Sequence, residues 1–171
     1  ASVARVIERV EPAVVVNPAA YTAVDKAESA SDAAFSVNHI GARNVAEAAA
    51  SANLPVIHFS TDYVFAGDKK GRYSEDDPPG PTGVYGRSKL AGEAAVAAVN
   101  PAHVILRTAW IYSPYGANFL KTMLGLAAER DVLRVVGDQQ GTPTYAPDIA
   151  VGVAAVIGRI VADPHGLDWR G

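Results

Sequence analysis

The segment Tyr85-Gly86-Arg87-Ser88-Lys89 sets a phenol and an ammonium one helical turn apart, on one face and within reach of a common ligand. A cation beside a phenol favours the phenolate, which is expected to lower the phenol pKa from its reference of about 10 toward the range of a general acid or base. Such a pair suits proton donation to a carbonyl oxygen while hydride arrives at its carbon. Taken alone, it is also what an exposed, amphipathic helix start carries. The segment Ser60-Thr61-Asp62-Tyr63-Val64-Phe65 narrows the choice, because a hydroxyl pair where a buried strand runs out can bring Thr61 to the same carbonyl oxygen as a second donor.

The elements that must position these groups follow from hydrophobic periodicity. Val3, Val6, Ile7 and Val10 share one face at helical spacing, and after Pro12 the run Val14, Val15 and Val16 is too short and too β-branched for anything but a buried strand. A long Ala-rich helix is expected from about Ala30 to Ala52, ended by Leu54-Pro55, and a second buried strand over Val56 to Ser60. A long loop rich in Gly, Pro and Asp then leads to a helix over Val84 to Val99, stopped by Asn100-Pro101. Beyond it the pattern predicts a strand at Val104 to Leu106, a helix from Asn118 to Glu129, a short strand at Leu133 to Val136, and a last helix from Asp148, read as its cap, to Val161. Short apolar strands alternating with helices mean an α/β fold, a parallel sheet covered on both faces. Ligands in such sheets bind beyond the carboxyl ends of the strands, here Asn17 to Thr22, Ser60 to Val64 and Arg107 to Tyr112.

The chain has 171 residues, 49% hydrophobic and 19% charged, the composition of an ordered globular protein of one domain's size. Its 15 basic and 18 acidic residues leave a net charge of -3 with no basic patch, which argues against nucleic acid or an anionic membrane and for small-molecule or protein partners. With no Cys there is no disulfide, thiolate nucleophile or Cys-based metal site, and a reducing cytoplasm is the expected location. No apolar run reaches membrane-spanning length. His39 and His58 read as structural, since neither has a second His or a carboxylate at ligand spacing, and no metal site is expected from them.

The stretches Val14 to Glu28, Val37-Asn38, Ser60 to Phe65, Tyr85 to Glu93, Arg107-Thr108-Ala109-Trp110-Ile111-Tyr112 and Gly137-Asp138-Gln139-Gln140-Gly141-Thr142-Pro143-Thr144 occur in this order. Together they closely resemble the dTDP-4-dehydrorhamnose reductases, an extended branch of the short-chain dehydrogenase/reductase superfamily, over nearly the whole chain. The resemblance implies a Rossmann-like doubly wound parallel sheet and reduction of dTDP-4-dehydro-L-rhamnose to dTDP-L-rhamnose with NADPH or NADH. It implies Tyr85 as the acid that protonates the sugar C4 oxygen, Lys89 as the group that lowers its pKa and binds the nicotinamide ribose, and Thr61 as a donor to the keto oxygen. Asp62 and Tyr63 would lie beside the sugar, and Trp110 would contact its ring. Ala20, Tyr21 and Thr22 would line the dinucleotide, although Pro18 stands where the family commonly has Ala or Gly. Asn38 would help hold water near Lys89, and Asn118 and the Asp138 to Thr144 loop would lie nearer the nucleotide. Some members use Mg²⁺ at a dimer interface, so a Mg²⁺ ion and a homodimer enter as open expectations.

Plainer readings stand beside several of these residues. Asn17 also suits a cap of the strand-loop corner, Trp110 suits core packing, Gly137 to Pro143 suits a simple turn, and Asp25-Lys26-Ala27-Glu28 reads as a solvated helix start. A glycine-rich strand-turn-helix for the cofactor pyrophosphate is missing, since the first glycine is Gly41, inside an expected helix. The resemblance therefore implies part of a longer enzyme: residues 1–171 as a partial dinucleotide-binding domain with part of the sugar-binding region, lacking roughly the first forty residues and inactive alone. Other readings are an epimerase or dehydratase acting on another nucleotide sugar, a non-catalytic regulatory homologue, and a truncation whose open sheet edge drives association.

Overall fold

A computed structural model describes residues 2–163. Contacts divide it into two compact units, one holding the chain up to Arg107 and again from Arg159, the other Thr108–Gly158. The first unit is built on a three-stranded sheet in the order β1 (Val15–Asn17), β2 (Val56–Thr61), β3 (His103–Thr108). β1 pairs with β2 in parallel, Val15 opposite Val56, Val16 opposite Ile57 and Asn17 opposite His58. The central β2 is buried at every position but Phe59, as a nearly continuous run of apolar and β-branched residues demands. Helix α1 (Ser2–Val10) precedes β1, and of its expected apolar face only Ile7 is buried, while Val6 and Val10 stay exposed.

The long Ala-rich helix is realised with an interruption. After the single turn α2 (Val24–Ala27), α3 (Ser31–Phe35) passes through a π-helical segment, Ser36–Gly41, into α4 (Ala42–Ser51). Ala42, Ala46 and Ala49 of α4 are buried against Val56 of β2 and Val96 of α5 (Val84–Val99), small side chains letting the helix lie close to both. A Cβ added to Gly92 of α5 would come within 2.2 Å of the Asn38 carbonyl oxygen. Glycine thus brings the backbone of α5 directly onto the π-helical segment.

The second unit carries a parallel pair, β4 (Ile111–Tyr112) and β5 (Thr144–Tyr145), with Ile111 opposite Thr144. Helix α6 (Phe119–Glu129) starts where expected, and α7 (Ala146–Ala162) begins two residues early, so Asp148 sits in its first turn and favours the positive helix end without capping it. The expected strand at Leu133 to Val136 does not form. The partner of β4 is instead β5, at the end of what the sequence presented as a loop.

Candidate active site

Thr61 ends β2 with its hydroxyl buried at the sheet's carboxyl end. The hydroxyl oxygen accepts the Tyr63 amide at 3.2 Å and the hydroxyl donates to Asp62 Oδ1 at 3.2 Å, which turns the chain through the short 3₁₀ segment Asp62–Val64. Burial pushes the Asp62 carboxyl above its ordinary range, against hydrogen bonds from Thr61 and the local backbone. The Tyr85 ring meets Tyr63 edge to face, centroids 5.6 Å apart and planes 78° apart. Here too a glycine sets the approach: a Cβ on Gly86 would lie 2.2 Å from the Tyr63 carbonyl oxygen, so only glycine lets the first turn of α5 sit against the β2 terminus.

The structure corrects the expectation for Tyr85. Its phenol lies above the ordinary tyrosine pKa, raised chiefly by burial, with Thr61 hydrogen bonding pulling it down and the nearby charge of Asp62 adding to the rise. Lys89 does not pull it down, because the ammonium is directed elsewhere. Nζ donates to the Phe59 carbonyl oxygen at 2.6 Å, and the side chain is only 2% exposed. Burial takes the Lys89 pKa down to about 8, with Glu93 one turn along opposing the shift. Glu93 is held in turn by Arg107, whose Nε and Nη2 donate to the two carboxylate oxygens at 3.0 and 2.7 Å.

The Asn38 side chain is committed to protein partners. Its Oδ1 accepts the Tyr21 amide at 2.8 Å, while Nδ2 donates to the Tyr21 carbonyl at 3.1 Å and to Ser88 Oγ at 2.9 Å. Ser88 passes the connection to the Tyr85 carbonyl at 2.8 Å. The amide is fully buried and ties the segment containing Ala20, Tyr21 and Thr22 to the Tyr85 helix. Ala20 and Tyr21 are half-buried and Thr22 is exposed. Asn17 takes the plainer role as a corner cap: Oδ1 accepts the Ala19 amide at 3.3 Å and Nδ2 lies 3.1 Å from His58 Nδ1. Burial with the neighbouring Lys89 charge takes the His58 pKa down to about 4.

Glu28 is exposed, as expected of a solvated helix start, but its Oε1 also accepts the Val84 amide at the start of α5 at 2.6 Å. In the second unit Trp110 is 43% exposed, not core, and holds φ at +44°, a conformation costly for a bulky residue. Gly141 packs flat on it, since a Cβ there would lie 2.4 Å from the indole Cε2. Asn118 spends its side chain on local structure, accepting the Lys121 amide to cap α6 and donating to the Ser113 carbonyl. Among the described residues no group of three or more His, Asp or Glu side chains could hold a metal ion, and no helix is long and apolar enough to cross a membrane.

Thr61, Asp62, Tyr63, Tyr85 and Lys89 thus converge at the end of β2, with Ala20 to Thr22 linked through Asn38. The roles of Glu28, Gly86 and Ser88 were not assigned from the sequence; Gly83, a helix N-cap with no side chain to do the capping, was a signal for that of Glu28. Buried Thr61 and Lys89 and half-buried Tyr85 stand at the end of β2 on a Rossmann-like parallel α/β frame. The chain belongs to the RmlD substrate binding domain family, whose model matches residues 1–169. It is 54% identical over 170 residues to a dTDP-4-dehydrorhamnose reductase of Sinorhizobium fredii, covering 99% of this chain and 57% of that one. Among solved structures it is similar to the dTDP-4-dehydrorhamnose reductase of Clostridium acetobutylicum, with 46% identity, a TM-score of 0.88 and coverage of 92% and 56%. The Bacillus anthracis enzyme in complex with NADP is 44% identical with a TM-score of 0.89, covering 91% and 56%. The chain spans about half the length of the relatives it matches.

Proposed function

We propose that this chain supplies the acid-base centre of a reductase that converts dTDP-4-dehydro-L-rhamnose to dTDP-L-rhamnose with NADPH or NADH. The convergence of Thr61, Tyr85 and Lys89 carries the reading, and the names of its relatives support it. The residues fit the nicotinamide-ribose end of a dinucleotide. Tyr21 presents a buried hydroxyl with no protein partner, and Lys89, with one of its three donors on Phe59, has two left for ribose hydroxyls. No glycine-rich turn for the pyrophosphate lies in these 171 residues, so the activity is assigned to a longer chain in which residues 1–171 form part of the dinucleotide-binding domain and part of the sugar site.

The nicotinamide, when bound, supplies the hydride that reduces C4. Thr61 and Tyr85 hold the keto oxygen through hydrogen bonds, and Tyr85 gives it a proton as negative charge develops there. A phenol kept above its ordinary pKa stays protonated at neutral pH and is therefore ready to donate. The resulting phenolate recovers its proton from solvent. Asp62 and Tyr63 contact the sugar. The cysteine-free composition suits a cytoplasmic setting.

The test is oxidation of NADPH by the full-length protein with dTDP-4-dehydro-L-rhamnose. Tyr85→Phe is expected to lower kcat by about 10²–10⁴-fold, the usual worth of a general acid. Full activity in that variant would overturn the assignment, and tightly retained NAD with no net cofactor consumption would point to an epimerase instead.

A further inference from the structure

The helix that carries Tyr85 has no cap of its own. Gly83 occupies the N-cap position in extended conformation, φ -104° and ψ 166°, with no side chain to accept an amide of the first turn. The acceptor comes from another element: Glu28 Oε1 takes the Val84 N–H at 2.6 Å from 56 residues earlier in the chain. Glu28 is well anchored for this, because it closes α2 at Ala27, which is fully buried in a cluster with Ala34 and Val84 on which Tyr85 also packs. The two features fit one another. A Cβ on Gly83 would stand 3.0 Å from Glu28 Oε1, so the missing side chain is what leaves room for the carboxylate. A carboxylate also meets the positive end of the helix dipole favourably, in a charge-assisted bond.

We propose that Glu28 is a positioning residue for Tyr85, a cap delivered from a separate element that fixes where α5 starts and hence where the phenol stands relative to Thr61. This rests on the reading of Tyr85 as proton donor. A purely local contact on the surface of α2 would leave Tyr85 indifferent to Glu28.

The experiment combines hydrogen exchange of the peptide spanning Val84 with steady-state kinetics, in the full-length protein. Glu28→Ala is expected to speed Val84 exchange about tenfold and to lower kcat by a similar factor with the sugar KM little changed, the size expected for a lost cap. Glu28→Gln keeps an acceptor at the same reach and should restore most of kcat. Gly83→Ser supplies a local cap but crowds the carboxylate. It should therefore be harmful with Glu28 present and restorative in the Glu28→Ala background. Glu28→Asp, one methylene too short, carries the same expectation should Glu28→Ala not fold. Unchanged Val84 exchange on loss of the carboxylate overturns the cap, and simply additive effects of Gly83→Ser overturn the reciprocal fit. Faster Val84 exchange together with full activity of Tyr85→Phe would instead remove the proton-donor reading, and the positioning role with it.

Discussion

Lys89 Nζ donates to the carbonyl oxygen of Phe59 at 2.6 Å, so the α5 ammonium is clamped to the backbone of β2 two residues before Thr61. With its pKa near 8, the charged form, which has two donors left for ribose hydroxyls, is lost as pH rises through that value. Reductase activity is expected to fall along a limb centred near pH 8, read from kcat/KM against pH. Lys89→Met should abolish that limb and lower activity at least about a hundredfold.

His58 makes stability acid-sensitive. Its pKa falls from 6.5 in the unfolded chain to about 4 in the buried site, so below 6.5 the unfolded state takes up a proton that the folded state refuses. Stability is therefore complete above pH 6.5 and is lost as pH falls toward 4, by about 2 kcal/mol between pH 7 and pH 5. Urea midpoints of the wild type and His58→Leu at the two pH values check this. An equal acid loss in the variant would exclude His58 as its source.

Gly86 permits the closest approach in the site. Gly86→Ala must push its methyl against the Tyr63 carbonyl, 2.2 Å from the Cβ position, and the Pro81 Cβ, at 2.9 Å. Neither neighbour can rotate away, so α5 moves and takes Tyr85 from Thr61. Overpacking of this kind costs about 1–3 kcal/mol. Activity is expected to fall more than stability, as a comparison of kcat with the melting temperature would reveal.

The Glu93 to Arg107 pair joins α5 to β3 with a carboxylate that is almost fully buried. Arg107→Met strands that charge and is expected to cost about 2–3 kcal/mol, on the low side for a buried pair because the guanidinium is partly exposed. Adding Glu93→Leu should recover most of the loss. A double-mutant cycle by chemical denaturation measures the coupling, and simple additivity would show that the pair contributes nothing.

The sequence alone determined the alternation of strands and helices, the turn at the end of β2, and the placing of Tyr85 and Lys89 one turn apart on α5, because each rests on local periodicity and spacing. It also carried Thr61 to the site, since strand ends in parallel sheets are where ligands bind. The strand expected at Leu133 to Val136 did not form, and β4 pairs with β5 instead, because pairing depends on segments far apart in the chain. Tertiary structure likewise decided the roles of Glu28, Asn38 and Ser88, whose partners lie tens of residues away, and reversed the expected direction of the Tyr85 pKa. Residue type can set a phenol beside an ammonium. Burial and the direction in which Lys89 points decide the balance between them, and both are properties of packing that spacing along a chain does not encode.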